Sequence, residues 1–152
     1  MEYDIYTISR EELAQFEDRL PGYVLERAGD NGFYLIGAIG SDDSLAGFLL
    51  FNVGQLPEGE VISSLVYVFV DEDCRGDGVG SSLLDAAHEI IGRSHINKCL
   101  VVFDKKHAEK RFFVENGYVF MKLEKGASDV AARSLGRPGA PGMEQGMFWI
   151  GR

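Results

Sequence analysis

The segment from Val68 to Ser81 constrains the fold of this 152-residue chain more than any other feature. It begins with apolar residues typical of a buried strand, continues with a loop that has glycine at positions 76, 78 and 80, and leads into an amphipathic helix. Because glycine has no Cβ, several main-chain amides of such a loop can converge on one anion. The unpaired amides and the dipole of the helix start add to this attraction. The segment therefore predicts a phosphate-binding turn between a strand and a helix.

The spacing of these glycines excludes two common nucleotide-binding motifs. A Walker A loop requires a lysine directly after its last glycine, and Gly80 is followed by Ser81. The dinucleotide fingerprint Gly-x-Gly-x-x-Gly fails as well, because the third glycine counted from Gly76 comes one position early.

Apolar periodicity predicts the element order β-α-α-β-β-β-α-β-α-β-β. A strand–helix–strand step stands among antiparallel strands, so we expect a mixed, mostly antiparallel sheet of about seven strands in an α/β (α+β) fold. The length suits one domain with a single core. The clearest predicted elements are strands over 33–39, 45–53, 61–70 and 98–103, a helix after Ser9 with a capping box to Glu12, and a helix over 78–91 that ends at Gly92.

Two motifs in this order point to a known family. The stretch Arg75-Gly76-Asp77-Gly78-Val79-Gly80 matches the pattern Arg/Gln-x-x-Gly-x-Gly/Ala, and Ala108, Gly117 and Tyr118 fit the outline of a second motif. The chain thereby resembles the GNAT superfamily of N-acetyltransferases over essentially its full length. The resemblance implies a single GNAT-like acetyltransferase domain over residues 1–152, with flanking helices and a central parallel pair of strands that splay apart.

The resemblance also implies a binding site for acetyl-CoA as cosubstrate. Main chain near Val68 and Val70 would bind the pantetheine arm, and backbone amides of the glycine loop would bind the pyrophosphate. An asparagine frequent in the family is replaced by Lys105 or Lys106, depending on alignment. The expected cofactor contacts are Val68, Val70, Arg75, Gly76, Asp77, Gly78, Val79, Gly80, Ser81 and Lys106.

The implied reaction transfers an acetyl or other short acyl group to a primary amine of a small molecule or peptide, by direct attack in a ternary complex. A free alkyl amine has a pKa of about 10.4, so a base has to remove its proton. Glu60, just before the central strand, is the first candidate, Tyr67 the second and Glu58 the third. Phe113 stands where many members have a tyrosine proposed to protonate the leaving thiolate.

Two alternatives stay open at this point. Because Phe113 cannot donate a proton, the chain could be a non-catalytic acyl-CoA-binding sensor or regulatory module of the same fold. The other alternative is a nucleotide-binding α/β protein unrelated to acyl transfer. The acceptor, the acyl length, the role of residues 126–145 and the oligomeric state, a homodimer among the options, are not fixed by the sequence.

Composition limits the classes of binding partner and the cellular location that we expect for this chain. Fifteen Lys and Arg against 24 Asp and Glu give a net charge of −9, which argues against nucleic acid and anionic membranes. No apolar stretch approaches the roughly 20 residues of a membrane helix, and the first residues show no secretion signal, so we expect a cytoplasmic protein. The three histidines do not form a ligand set, and no metal is expected.

Overall fold

The structure, a computed structural model, describes residues 3–55, 59–96, 98–103, 110–122 and 145–150. Lys106, Glu58 and the stretch 126–144, which figure in the sequence predictions, lie outside these residues. The strands are β1 (Tyr3–Thr7), β2 (Phe33–Gly40), β3 (Leu45–Gln55), β4 (Val61–Val70), β5 (Lys98–Phe103), β6 (Val119–Lys122) and β7 (Gln145–Ile150), and the α-helices are α1 (Gly22–Ala28), α2 (Val79–Arg93) and α3 (Lys110–Glu115).

The strands form a mixed sheet in which hydrogen-bonded neighbours follow the order β1-β2-β3-β4-β5-β7-β6. β1 is antiparallel to β2, and β7 is antiparallel to both β5 and β6. β4 and β5 are parallel, which agrees with the strand–helix–strand step that α2 makes between them. The predicted mixed, mostly antiparallel sheet is therefore confirmed.

The first predicted helix differs from the structure in its type. Residues Arg10–Phe16 form a 3₁₀ helix, with the N–H of Glu12 donating to the carbonyl oxygen of Ser9 at 3.0 Å. The predicted capping box is present, since the N–H of Ser9 donates to Glu12 Oε1 at 3.1 Å. These hydrogen bonds from Ser9 lower the pKa of the Glu12 carboxyl, because they favour its charged form.

The helix α2 ends later than predicted, and Gly92 is not its stop. The N–H of His95 donates to the carbonyl oxygen of Gly92 at 3.1 Å, and the N–H of Ile96 donates to that of Ile91 at 3.2 Å. This pair of bonds is a Schellman motif, in which the residue after the helix adopts a left-handed conformation. His95 does so with a φ of +61°.

We expect His95→Gly to stabilise the protein. Glycine adopts a positive φ without the steric cost that a Cβ imposes, so the free energy of unfolding should rise by about 1 kcal/mol. Urea denaturation of both proteins measures the change. A lower midpoint for His95→Gly would mean that the imidazole makes contacts worth more than the backbone strain.

The chain divides into two compact units, one formed by residues 1–51 and 67–89 and the other by residues 52–66 and 90–152. In the first unit α2 packs closely against β3, and Gly47 permits the approach. A Cβ on Gly47 would lie 2.7 Å from the carbonyl oxygen of Phe69 and 3.2 Å from Cγ1 of Val79. The side-chain position of Gly47 therefore faces α2, and the neighbouring Phe48 points to the opposite face of the sheet.

The second unit has a buried polar cluster beside its parallel strand pair. The Ser63 hydroxyl donates to the carbonyl oxygen of Lys98 at 2.9 Å, and the Cys99 thiol is hydrogen-bonded to the side chains of Ser63 and Tyr118. The parallel ladder of this unit consists of the pairs Ser63↔Cys99 and Ser64↔Leu100. Beyond these two pairs both strands continue, with no further pair between β4 and β5 among their described residues.

Candidate functional site

The loop between β4 and α2 has the backbone conformation that its glycines predict. The N–H of Asp71 donates to the carbonyl oxygen of Ala46 at 2.8 Å, which fixes the end of β4 against β3. A 3₁₀ turn, Glu72–Cys74, follows. Gly76 and Gly78 then adopt φ values of +91° and +77°, in the region that L side chains rarely occupy. Among the described residues, a Cβ at either glycine would have no heavy atom within 4 Å beyond its chain neighbours, so this part of the structure leaves the surface above the loop open.

The start of α2 provides main-chain donors for an anion. The N–H of Ser82 is the first to bond back along the helix, to the carbonyl oxygen of Gly78 at 3.0 Å. The N–H groups of Val79, Gly80 and Ser81 have no backbone acceptor among the residues that the structure describes. They are three of the four orphan donors that a helix start leaves, and they carry the positive end of its dipole. Together with the open glycine backbone, they form a cluster of main-chain donors, named here the phosphate cradle, of the kind that suits a phosphate group.

The side chains of the loop contribute little positive charge. Arg75 is exposed, and its Nε donates to the carbonyl oxygen of Val70 at 3.3 Å, while Asp77 is exposed as well. Cys74 is buried, and burial together with the negative charges of three nearby aspartates raises the pKa of its thiol. The thiol therefore stays protonated at neutral pH and is not an activated nucleophile. The positive potential of the loop therefore comes from the main chain and from Arg75.

Val68 and Val70 have main-chain groups on the edge of β4 that faces away from β3. β3 begins beside the end of β4, so the two strands form an antiparallel hairpin in which alternate residues direct their N–H and C=O groups to the partner. Asp71 bonds to β3, which places Phe69 and Tyr67 on the same side and Val68 and Val70 on the other. That edge has no ladder pair at Val68 or Val70 in the described part of the chain, so their polar groups can bind an extended ligand.

The two catalytic candidates lie in different compact units of the chain, Glu60 in the second and Tyr67 in the first. Glu60 directly precedes β4, and its Oε1 is 2.9 Å from Nζ of Lys98 in an ion pair whose side chains are both more than a third exposed. Tyr67 lies within β4, and its side chain is exposed.

Tyr67 belongs to an aromatic stack that the sequence did not reveal. The ring of Phe48 lies 5.6 Å from that of Tyr67 and 5.4 Å from that of Phe69, with interplanar angles of 11° and 30°. Phe48 is buried, whereas Tyr67 and Phe69 are 37% and 39% exposed. Alternation along β4 indicates that Tyr67 and Phe69 share a face, but their partner on β3 depends on the pairing of the strands.

Phe113 lies in an aromatic cluster of the second unit. It is buried, with edge-on contacts to the rings of Phe112 at 5.2 Å and Tyr118 at 5.3 Å. Burial raises the pKa of the Tyr118 phenol, which therefore stays protonated. The position at which the resemblance implies a proton-donating tyrosine is thus a packed phenylalanine without a hydroxyl.

Comparison with known proteins identifies the family. A model described as the acetyltransferase (GNAT) family matches residues 2–118. The chain belongs to this family. Members of the GNAT family use an acyl-CoA and an acceptor substrate, so the match supports acyltransferase activity and confirms the resemblance that the glycine loop indicates.

Solved structures share the fold of this GNAT chain. A GNAT-family acetyltransferase from Staphylococcus aureus Mu50 is 18% identical with a TM-score of 0.68, and the match covers 99% of this chain and 100% of that chain. A PaiA N-acetyltransferase from Thermoplasma acidophilum, solved in complex with coenzyme A, is 14% identical with a TM-score of 0.66, covering 99% of both chains. A ribosomal-protein-alanine N-acetyltransferase from Brucella melitensis is 21% identical with a TM-score of 0.59, covering 74% of this chain and 88% of that chain. A comparison with curated proteins gave no match.

Two further observations concern membranes and metals. In the described ranges, no helix has the length and apolar character needed to span a bilayer. The same residues contain no group of three or more His, Cys, Asp or Glu side chains placed to hold a metal ion.

Proposed function

We propose that this GNAT chain is an acetyl-CoA-dependent N-acetyltransferase that acylates a primary amine of a small molecule or peptide. The observation that carries the proposal is the cradle formed by the open backbone at Gly76 and Gly78 and the three acceptor-free amides of Val79, Gly80 and Ser81. Family membership supports an acyl-CoA donor, and a structurally similar N-acetyltransferase that was solved in complex with coenzyme A agrees with it.

The residues present fit this cosubstrate. Main-chain donors suit a diphosphate, because an anion at a helix start gains from both the amides and the dipole. The strand edge at Val68 and Val70 suits a pantetheine arm, whose amides can bond to it as a neighbouring strand does. When bound, acetyl-CoA supplies a thioester whose acyl carbon the amine attacks, forming the C–N bond while the C–S bond breaks. We propose Lys106 as a further residue that contacts acetyl-CoA.

Binding and turnover test the proposal separately. Calorimetry with CoA, acetyl-CoA, ATP and NAD should show binding of the first two only, because neither nucleotide motif is present in the loop. Release of free thiol from acetyl-CoA should then depend on an added primary amine. Equal affinity for ATP or NAD would contradict the acyl-CoA assignment.

For the proton of the amine, we propose Tyr67 as a relay, whose oxygen accepts the proton of the ammonium while its own hydroxyl proton passes to water, and we keep Glu60 as the alternative. Tyr67 lies on β4 beside Val68 and Val70, whereas Glu60 precedes the strand and is held in an ion pair with Lys98. Exposed ion pairs contribute at most about 1 kcal/mol to stability, so breaking this one should leave the fold intact.

Three variants test which residue takes the proton of the amine: Tyr67→Phe, Glu60→Gln and Lys98→Gln. Removing an acting hydroxyl should lower kcat by about 100-fold with unchanged CoA affinity, since general acid–base groups contribute about that much. Glu60→Gln and Lys98→Gln remove the same ion pair from opposite sides and should have equally small effects, measured as kcat and KM for each variant. A large loss in Glu60→Gln alone would transfer the role to Glu60.

The second candidate function, an acyl-CoA sensor, is favoured by one observation. Phe113 is buried and lacks the hydroxyl that the resemblance implies for protonating the leaving thiolate. Thiols have an ordinary pKa of about 8.5, so a thiolate can leave with water as the proton source, and we therefore rank the transferase first. Tight CoA binding without thiol release over a broad amine panel would favour the sensor.

A further inference from the structure

Two aromatic side chains of β4, the strand of the proposed site, are exposed rather than packed in the core. Among the described residues, seven large apolar or aromatic side chains are exposed, and Tyr67 and Phe69 are the two that stand two positions apart on one strand. Both rings stack on the buried ring of Phe48, which holds them in place. The result is a rigid aromatic surface, named here the β4 platform (Phe48, Tyr67 and Phe69).

The β4 platform is directed to the face of the sheet opposite α2. Gly47 faces α2, so Phe48 and the rings stacked on it project from the other face. The phosphate cradle lies at the start of α2, and the strand edge at Val68 and Val70 belongs to the same stretch of β4 as the rings of Tyr67 and Phe69. A ligand bound along that edge would therefore have the platform beside it, on the side away from the helix.

Building on the proposed function, we infer that the β4 platform binds the acceptor, and that the preferred acceptor is a primary amine with an aromatic group on a short chain. Ring stacking recognises a flat apolar group, and ring faces also attract an ammonium. The net charge of −9 and the acidic run Asp71-Glu72-Asp73, which begins two positions after Phe69, favour a cation, although Asp71 is itself in an ion pair with Arg19 at 3.6 Å. The exposed ring of Phe69 has no hydrogen-bonding group, so a polyhydroxylated amino sugar or a linear polyamine gains less from this surface.

Acceptor binding can be measured apart from turnover. With the protein saturated with CoA, calorimetry should show 2-phenylethylamine binding at least tenfold more tightly than 1,4-diaminobutane. Phe69→Thr should remove most of this preference, with a loss of about tenfold in affinity for 2-phenylethylamine, because ring stacking and cation–π contacts are of that size. Phe69→Leu, which keeps an apolar side chain, should lose less, and Tyr67→Phe should retain the preference because it keeps the ring.

The chain offers a matched control on another strand. Tyr34 on β2 is 42% exposed and stacks on the buried Phe51 at 5.2 Å, so Tyr34→Thr removes a similar ring away from β4. This variant should bind both amines as the parent protein does. Equal affinity for the two amines, or equal losses in Phe69→Thr and Tyr34→Thr, would overturn the inference. Failure of the parent protein to bind CoA would instead overturn the proposed function, and CoA affinity of each variant reports its folding.

Discussion

Gly78→Val is expected to lower the affinity for CoA by at least 100-fold while the protein stays folded. Gly78 has a φ of +77° and open space above it, so the new side chain would occupy the position of the bound anion. A 100-fold loss corresponds to about 2.8 kcal/mol, which excluding one phosphate from several main-chain donors readily accounts for. Calorimetry gives the affinity, and circular dichroism with a urea titration gives the folded state.

The control for this variant is a second glycine with a positive φ outside the loop. Gly59 has a φ of +98°, and a Cβ there would meet only Gln55 Nε2, at 3.8 Å. Gly59→Val imposes a similar backbone strain of about 1–2 kcal/mol but should leave CoA affinity within twofold. If folded Gly78→Val bound CoA as the parent does, the assignment of the phosphate cradle would be wrong.

Gly47→Ala is expected to destabilise the protein by about 2–3 kcal/mol, the upper part of the range of about 1–3 kcal/mol for overpacked cores. The added Cβ would lie 2.7 Å from the carbonyl oxygen of Phe69, a main-chain atom that cannot rotate away. Since Val79 and Leu83 also lie within 3.4 Å of that position, the start of α2 has to shift, and CoA affinity should fall with stability. Urea denaturation and calorimetry on the same samples measure both effects.

Gly92, a glycine within α2, provides a control in which the free energy of unfolding is expected to rise. In the described part of the chain, a Cβ at Gly92 would meet no atom within 4 Å outside its own helix backbone, so Gly92→Ala adds helix propensity without a clash. This variant should be more stable than the parent by up to about 1 kcal/mol. If Gly47→Ala were as stable as Gly92→Ala, the close packing of α2 on β3 would not constrain position 47.

The strands that frame the site could be predicted from the sequence with their observed bounds. Val61–Val70 and Lys98–Phe103 are runs of apolar and β-branched residues, and polar or turn residues end each run, so their limits are set locally. The sequence did not predict two other features, the helix type at Arg10–Phe16 and the end of α2 at Arg93. Both depend on small differences between competing backbone hydrogen bonds, to which apolar periodicity is insensitive.

The candidate site also has features that the sequence predicts and features that it does not. The left-handed backbone at Gly76 and Gly78 and the free amides of Val79–Ser81 follow from residue types within one short segment. The ion pair that holds Glu60 depends on Lys98, 38 positions away, and the stack under Tyr67 depends on Phe48. No local pattern specifies either partner.

The sequence by itself determined the glycine turn before α2, the order of the elements and the family, because glycine conformation, helix starts and alternating apolar residues are properties of neighbouring residues. Only the tertiary structure decided which aromatic residues form one surface, which carboxylate is held in an ion pair, and why position 47 has to be glycine. The physical reason is that these contacts arise from the pairing of strands and the packing of a helix on a sheet, which join residues distant in the chain.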